Sequence, residues 1–500
     1  MRKILLFDTT LRDGEQTPGV HLARDGKLEI ARALSRMKAD IIEAGFPISS
    51  KSEFKCVELI SQEVREPVIC ALARCSDADI DAAAAALSAA ARPRIHVFIA
   101  TSDIHMRYKL KMTRDEVIAH IAHSVAYARS LCADVEFSAE DAGRSDPEFL
   151  FRALETACAN GASTVNIPDT VGYNSPAEFG KLIYDAAHNV RGIENAVISA
   201  HCHNDLGLAV ANSLSAIQNG ASQIECTVNG IGERAGNAAL EEIAMSLYTR
   251  GSYYGCECGI DTRRISETSR IVSSLCSVVV PPNKPIVGAN AFAHESGIHQ
   301  HGMLANSATY EIMTPESVGC GKTQLILGKL SGRHAFAEHV AELGYTLSDD
   351  AVTACFSRFK DYADKKNVSD DDIMALVNEY LDSRDSVYAL DTFQIQSGNR
   401  MMAMAMVTLS CRGATLSDSA VGDGPISAAF NAIQRLSGAD CIRLDEYNIK
   451  AVTEGADALG EAKVKITIDG ASFTGRSAAP DIIEASIRAY VNALNKWAAL

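Results

Sequence analysis

No apolar run in this 500-residue chain approaches the roughly 20 residues that a membrane-spanning helix needs. Positive charge is in deficit as well. Lys and Arg number 47 against 63 Asp and Glu, a net charge of −16, which argues against a nucleic acid or an anionic membrane as partner. An anionic small substrate stays open, because a few placed arginines and a metal can dominate one site. None of the 14 cysteines forms a CxxC pair, so most are expected as buried free thiols. The start, Met1-Arg2-Lys3 and then Ile4-Leu5-Leu6-Phe7-Asp8, has too short an apolar stretch for a secretory signal. A cytoplasmic location is therefore the expectation. What is present is ordinary for a soluble globular protein, with 47% hydrophobic and 22% charged residues. The length exceeds what one core serves, so two or three domains are expected.

The first half repeats one phrase: a short apolar strand, a polar turn, then a helix-like stretch. Strands are predicted at 5–8, 41–45, 68–71, 95–99, 135–138, 164–169, 196–200 and 223–228, with helices between them such as 81–91 and 113–131. Eight such units fit a parallel (β/α)₈ TIM barrel over residues 1–275. Asp13, Glu43, His96, Glu140, Asn166, Thr170, His201 and His203 crowd the C-terminal strand ends, where barrels of this kind do their chemistry. A doubly wound open sheet would not place polar groups after nearly every strand.

Past residue 275 the texture changes. Pro281-Pro282-Asn283-Lys284-Pro285 reads as a linker, and a helical stretch is predicted over 347–384, so 276–387 form small linker subdomains. Residues 388–500 carry a duplication. A strand over 402–410, with Met402, Met404, Met406 and Thr408 on one face, leads to a helix over 426–436. Some way on, a strand over 463–469 leads to a helix over 481–494.

The apolar run 196–200 ends in His201-Cys202-His203-Asn204-Asp205. Alternation on a strand turns His201 and His203 to one side and Cys202 away, so the two imidazoles can grip one metal ion. Zinc, manganese, iron or cobalt suit such ligands, and Asp13 as a third would widen the choice to magnesium. An ordinary pair of histidines is the plain alternative. Arg12 beside Asp13 is either a surface salt bridge or, at the end of a first barrel strand, a clamp for a keto acid. Glu43 and Glu140 are candidate orienting or acid/base groups. Gly319-Cys320-Gly321-Lys322-Thr323 lacks the leading glycine of a phosphate loop, because Glu316 stands there. The glycines of 230–236 have the wrong spacing for a dinucleotide fingerprint and better suit close backbone approach, with Asn237 projecting into the site. His299 and His301 lie outside the barrel.

Several stretches together resemble the 2-isopropylmalate synthase family, within the larger homocitrate synthase group. They are Asp8-Thr9-Thr10-Leu11-Arg12-Asp13-Gly14-Glu15-Gln16, Ile42-Glu43-Ala44-Gly45-Phe46-Pro47, His201-x-His203-Asn204-Asp205-x-Gly207 and Gly232-Glu233-Arg234-Ala235-Gly236-Asn237-Ala238. The likeness continues through Ser296-Gly297-Ile298-His299-Gln300, Thr309-Tyr310-Glu311-Ile312-Met313, Gly422-Asp423-Gly424-Pro425 and Asp481-Ile482-Ile483-Glu484-Ala485-Ser486. It covers essentially the whole chain.

The resemblance implies a Claisen-type condensation of acetyl-CoA with 2-oxoisovalerate to give 2-isopropylmalate and CoA. Asp13, His201, His203 and Asn237 match the family's ligands for a divalent metal (Mn²⁺, Mg²⁺ or Zn²⁺), with K⁺ as a further candidate cofactor. Arg12 matches the group that polarises the ketone, and Arg12 and Thr170 help to hold the keto acid. Glu43, His96, Ser138, Asn166 and Pro168 are expected around the substrate, the last four at its branched end. Glu140 matches an orienting carboxylate. His299 and Tyr310 match residues delivered to the partner subunit's active site, which implies a homodimer. The tail becomes a regulatory domain with leucine as effector. Two stretches depart from the family pattern: His301 stands where many members have Asp, and 475–480 replace a Gly/Ser/Thr-rich lead into Asp481. The rival readings are citramalate synthase with pyruvate as acceptor, homocitrate synthase with 2-oxoglutarate, and an acyl-CoA lyase.

Overall fold

Eight short strands open the chain: β1 (Arg2–Asp8), β2 (Ile41–Gly45), β3 (Val68–Arg74), β4 (Pro93–Ala100), β5 (Val135–Glu140), β6 (Thr164–Asp169), β7 (Val197–Cys202) and β8 (Gln223–Cys226). All neighbours pair in parallel, and β1 bonds both β8 and β2, so the sheet closes into a barrel. The computed structural model describes residues 1–500 apart from 322–323, 326, 330, 346, 365–367, 384–386, 440, 452–459 and 499–500. It divides into two units, Met1–Ala293 with Glu311–Thr323, and His294–Tyr310 with Gln324–Leu500.

Helices follow each strand, at Arg24–Arg36, Lys51–Glu63, Asp77–Ala86, Arg114–Leu131, Pro147–Ala159, Pro176–Asn189, Ala209–Gln218 and Leu240–Tyr254. The helix predicted at 81–91 lies one turn earlier, because Asp77 and Asp79 fill its first turn, where carboxylates complement the helix dipole. The one predicted at 113–131 begins at Arg114, with Thr113 and Glu116 forming a capping box. A further strand, β9 (Cys256–Cys258), pairs in parallel with Arg2, Lys3 and Ile4 of β1 and has no counterpart in the sequence reading.

Strand alternation sorts the barrel into two layers. Ile95 and Val97 of β4, Val135 and Phe137 of β5, Val165 and Ile167 of β6, Ile198 and Ala200 of β7 and Ile224 of β8 turn outward. They join Ile30, Leu34, Ile121, Val125, Leu150, Ile183 and Ile243 of the helices in one buried cluster. The alternate positions turn inward and are largely polar. Arg94 donates to Glu136 and Gln223 at 2.9 and 2.8 Å, and Gln223 donates to Glu136 and Ser199 at 2.8 and 3.0 Å. These groups fill the barrel floor beneath the strand ends.

The loop after β1 is anchored by an ion cluster. The Lys27 ammonium, 1% exposed, meets Glu15 at 2.6 Å, Glu53 at 2.7 Å and the Leu11 carbonyl at 3.3 Å. Burial alone would push this ammonium down, yet Glu53 and Glu15 raise it above its ordinary value. Glu53 also accepts the Phe46 N–H, so one lysine ties the loops after β1 and β2 together.

In the second unit the stretch predicted as helical over 347–384 contains two helices, Asp349–Ala363 and Asp370–Ser383. Ser348 accepts the Ala351 N–H and Ser369 the Asp372 N–H, so each starts at its own serine cap. The duplication is two antiparallel three-stranded sheets. Strands β10 (Tyr388–Gly398), β11 (Met401–Cys411) and β12 (Ala414–Gly422) precede the helix Pro425–Ser437, and β13 (Ile442–Ala451), β14 (Gly460–Ile468) and β15 (Ala471–Ala479) precede Ile482–Ala498. Ala403, Ala405, Val407 and Leu409 of β11 are buried, whereas Met402, Met404 and Met406 lie exposed on the opposite face. Phe430 and Tyr490 stack at 4.2 Å and join the two repeats. No helix among the described residues is long and apolar enough to cross a membrane.

Replacing Lys27 with Met strands Glu15 and Glu53 without their cation. Urea unfolding should show a loss of roughly 3 kcal/mol, and adding Glu53→Leu to Lys27→Met should recover part of it.

Candidate metal centre and active-site cavity

At the C-terminal mouth of the barrel the inward-facing side chains of six strands converge on a cavity of about 290 Å³. Asp13 comes from the loop after β1, His201 from the end of β7, His203 from just beyond it, and Asn237 from the segment after β8. His201 Nε2 and His203 Nε2 stand 3.0 Å apart, and each lies near Asp13 Oδ2, at 4.0 and 3.9 Å. Asn237 Nδ2 donates to Asp13 Oδ1 at 2.7 Å, and its own Oδ1 is buried without a hydrogen-bond partner. Gly232 makes this approach possible, since a methyl there would fall 2.2 Å from Asn237 Nδ2. Burial pushes both imidazoles down to about 4, so they are neutral near pH 7. Burial opposes ionisation of Asp13, but Arg12 and the two histidines hold its carboxyl well below the usual range.

One carboxylate, two neutral imidazoles and an amide oxygen in need of a partner suit a divalent cation. Among the described residues two other groups have metal-compatible spacing, Glu43 with Cys70 and His96, and His96 with Glu136 and Glu225. Neither has all its members on the cavity wall. Burial also pushes the Cys70 thiol well above its ordinary value, and Glu136 is already bonded by Arg94 and Gln223. The group of Asp13, His201 and His203 opens to the cavity with every member.

Arg12 connects this centre to the next strand. Its Nη1 donates to Asp13 at 2.7 Å and its Nε to Glu43 at 2.6 Å. Glu43 is fully buried and also accepts from Thr9 at 2.6 Å and meets His96 Nδ1 at 2.8 Å. Burial would raise the Glu43 carboxyl, but Arg12 and His96 hold it well below its ordinary value. Glu43, expected at the substrate, lies behind Arg12 and His96 and is not among the residues that line the cavity.

The remaining wall comes from Ser138, Asn166, Pro168, Thr170, Glu140 and His96, as their strand positions require. Asn166 donates to Ser138 at 2.7 Å. Thr170 Oγ1 accepts the Asp141 N–H, which leaves its own proton for a ligand. Glu140 pairs with Lys109 at 2.5 Å. Phe46, Leu72 and Phe98 supply an apolar patch that the sequence reading did not single out. It also missed Lys109, Arg234 and Glu225. For Glu225 the signal was available, because Gln223 and Glu225 are polar at alternate positions of a barrel strand. Arg234 bonds the Thr170 carbonyl at 2.8 Å and the Asp205 carboxylate, tying three loops together. Cys202 packs in the outer core, as alternation required. His299 and Tyr310 belong to the other unit, where their rings lie 4.3 Å apart. The side chain of His301, and Lys322 and Thr323 of the glycine-rich segment, lie outside the described residues.

The HMGL-like family matches residues 3–272, the homocitrate synthase post-HMGL domain-like family 286–367, and the LeuA allosteric (dimerisation) domain 367–498. The chain is 55% identical to the 2-isopropylmalate synthase of Ruminiclostridium cellulolyticum, over 99% of this chain and 97% of that one. It is 52% identical to that of Clostridium kluyveri, over 99% and 96%, and 53% identical to that of Synechocystis, over 100% and 96%. Among solved structures, a hydroxymethylglutaryl-CoA lyase from Pseudomonas aeruginosa superposes with a TM-score of 0.48 at 20% identity, over 56% of this chain and 95% of that one.

Chelator-stripped protein dialysed against Mn²⁺ should retain about one ion per chain. His203→Ala should retain almost none while its circular dichroism is unchanged, with metal content measured by inductively coupled plasma mass spectrometry.

Proposed function

The chain belongs to the 2-isopropylmalate synthase family, and on that footing we propose how its barrel cavity carries the reaction. Acetyl-CoA condenses with 2-oxoisovalerate (3-methyl-2-oxobutanoate) in a metal-dependent Claisen-type step that yields 2-isopropylmalate and CoA, the first step of leucine biosynthesis. The observation that carries the residue assignments is the placement of Arg12 between Glu43 and Asp13, beside two neutral imidazoles.

A divalent ion (Mn²⁺, Mg²⁺ or Zn²⁺) held by Asp13, His201, His203 and Asn237 supplies Lewis acidity, which makes a ketone carbon electrophilic. Arg12 adds fixed donors to that effect. Two of its N–H groups are committed to Glu43 and Asp13, and the Nη2 donors remain to bond the ketone oxygen as it gains charge. Because Glu43 and Asp13 fix the guanidinium beforehand, little reorganisation is needed when charge develops. Thr170 donates a hydrogen bond from its hydroxyl to the keto-acid carboxylate. Leu72, Phe98 and Pro168 receive the isopropyl group, with Ser138, Asn166 and His96 limiting its reach.

Proton abstraction from the acetyl methyl group is difficult because a thioester's α-proton is far less acidic than water's working range allows. The base must therefore be close and the enolate stabilised as it forms. Glu140, oriented by Lys109, lies on the wall where the thioester would enter. We assign His299 to the base system and Tyr310 as a hydrogen-bond donor, both delivered to the barrel of a partner subunit in a homodimer. The pairing of these two rings supports their acting together. Attack of the enolate carbon on the ketone forms the new C–C bond, and hydrolysis of the thioester releases CoA.

Residues 1–275 are the catalytic barrel in this reading, 276–387 the linker subdomains and 388–500 the effector domain. Leucine is the ligand we assign to that last domain, and its match to the LeuA allosteric (dimerisation) domain supports both an effector and a dimer. K⁺ is a candidate activator, and a cytoplasmic location is part of the same reading.

CoA release should favour 2-oxoisovalerate over pyruvate by about 10–200-fold in kcat/KM, since two methyl groups fill the apolar patch. A preference for pyruvate or 2-oxoglutarate would overturn the assignment. Arg12→Lys cannot reach both carboxylates and still donate, so kcat should fall roughly 10²–10³-fold. Leucine should inhibit the full-length enzyme and leave a chain ending at residue 387 unaffected, if that truncated chain retains turnover.

A further inference from the structure

The two histidines of the candidate metal centre are not held alike. His201 Nδ1 meets Glu225 Oε2 at 2.8 Å, whereas His203 Nδ1 is buried and has no hydrogen-bond partner. Glu225 is placed by registry. It is the direct cross-strand neighbour of His201 in the β7–β8 pairing and of Phe7 in the β8–β1 pairing, on the inward face. It is 1% exposed, so no solvent shares the interaction. Its carboxylate also lies within 4.8 Å of a ring nitrogen of His96 and of the Glu136 carboxylate.

A neutral imidazole carries one proton, and a carboxylate can only accept. With Glu225 ionised, the contact places the proton of His201 on Nδ1 and leaves a bare lone pair on Nε2. That is the atom facing His203 and Asp13. The same carboxylate makes His201 a better electron donor and fixes the ring plane. His203 has no such partner on Nδ1, and the bare His201 Nε2 at 3.0 Å favours its proton on Nε2, so His203 has to change tautomer to take an ion. A second chain of contacts joins the two sides of the site. His96, beside Glu225, bonds Glu43, which holds Arg12, which bonds Asp13. A shift of Glu225 would reach the centre from both directions.

We propose that Glu225 is a positioning residue of the metal centre, which presets His201 as a ligand in the metal-free protein and leaves His203 to adjust. The proposal rests on the reading of Asp13, His201 and His203 as metal ligands. Glu225 would act on the ion through His201, whose Nδ1 it holds.

Titration of chelator-stripped full-length protein with MnCl₂, followed by the electron paramagnetic resonance signal of free Mn²⁺, separates the possibilities. Glu225→Leu removes the acceptor and should weaken Mn²⁺ binding by about 10–100-fold. Glu225→Gln keeps an oxygen to accept the Nδ1 proton but loses the charge, so its loss should be several-fold only. Thermal unfolding of the metal-free variants should match the parent protein. A side chain that merely filled the barrel would lower stability without this graded order of affinities. Equal Mn²⁺ affinity in the parent and Glu225→Leu would overturn the proposal while leaving the metal centre standing. Should Glu225→Leu fail to fold, Glu225→Gln decides alone: a several-fold loss supports the proposal and unchanged affinity refutes it. If the parent, His201→Ala and His203→Ala all bind Mn²⁺ alike, the centre itself has been misassigned and the proposal falls with it.

Discussion

The pairing of Arg12 with Asp13 on one side and Glu43 on the other is the interaction around which the barrel mouth is organised. All three groups are largely withdrawn from water, and a buried ion is tolerated only when its partners are close and themselves bonded. Arg12 and Asp13 come from the loop after β1, Glu43 from β2, and those two strands meet at the seam where the sheet closes. Formation of the barrel and assembly of the electrophilic side of the site are thus one event. Removing Arg12 would leave two buried carboxylates without their shared cation. Such a cluster contributes geometric definition more than stability.

The same trade governs the barrel interior. A barrel packed with branched apolar side chains would be a simpler core. Here the inward layer sets Phe7, Ile41, Val68 and Cys70 beside Arg94, Glu136, Gln223, Ser199, His96, Glu43 and Glu225, the polar members largely joined by hydrogen bonds. Stability comes from the outer layer, where strand and helix side chains bury against one another in a continuous apolar cluster. Burial pushes Glu136 and Glu225 up to about 7, a measure of how weakly that interior tolerates further negative charge. The polar layer supports the candidate ligands from below, and the apolar layer keeps it in register. Precision at the mouth depends on both.

The duplicated sheets of the second unit follow a different logic. Each buries one face beneath a helix rich in alanine and leaves the other open, and the packing depends on close backbone approach. A methyl on Gly475 would fall 2.1 Å from the Ala489 carbonyl oxygen, which shows how tightly β15 lies against its helix. The stacked Phe430 and Tyr490 rings make one core of two repeats.

Periodicity along the chain determined the strands, the helices, the inward direction of His201 and His203 and the outward direction of Cys202. These depend only on neighbours in sequence, through a repeat of two residues in strands and 3.6 in helices. The composition likewise argued against nucleic-acid and anionic-membrane partners, and local motifs carried the family resemblance. Closure of the barrel decided the rest. That Asp13 approaches within 4.0 Å of residues near 200, that Glu225 lies beside His201, and that Glu43 stands behind Arg12 rather than on the cavity wall are matters of cross-strand registry. No local pattern encodes which strand lies beside which, or by how many residues they are staggered. The split of the predicted helix over 347–384 was legible in its two capping serines, whereas Lys27 reads as an ordinary surface lysine until the fold surrounds it with Glu15 and Glu53.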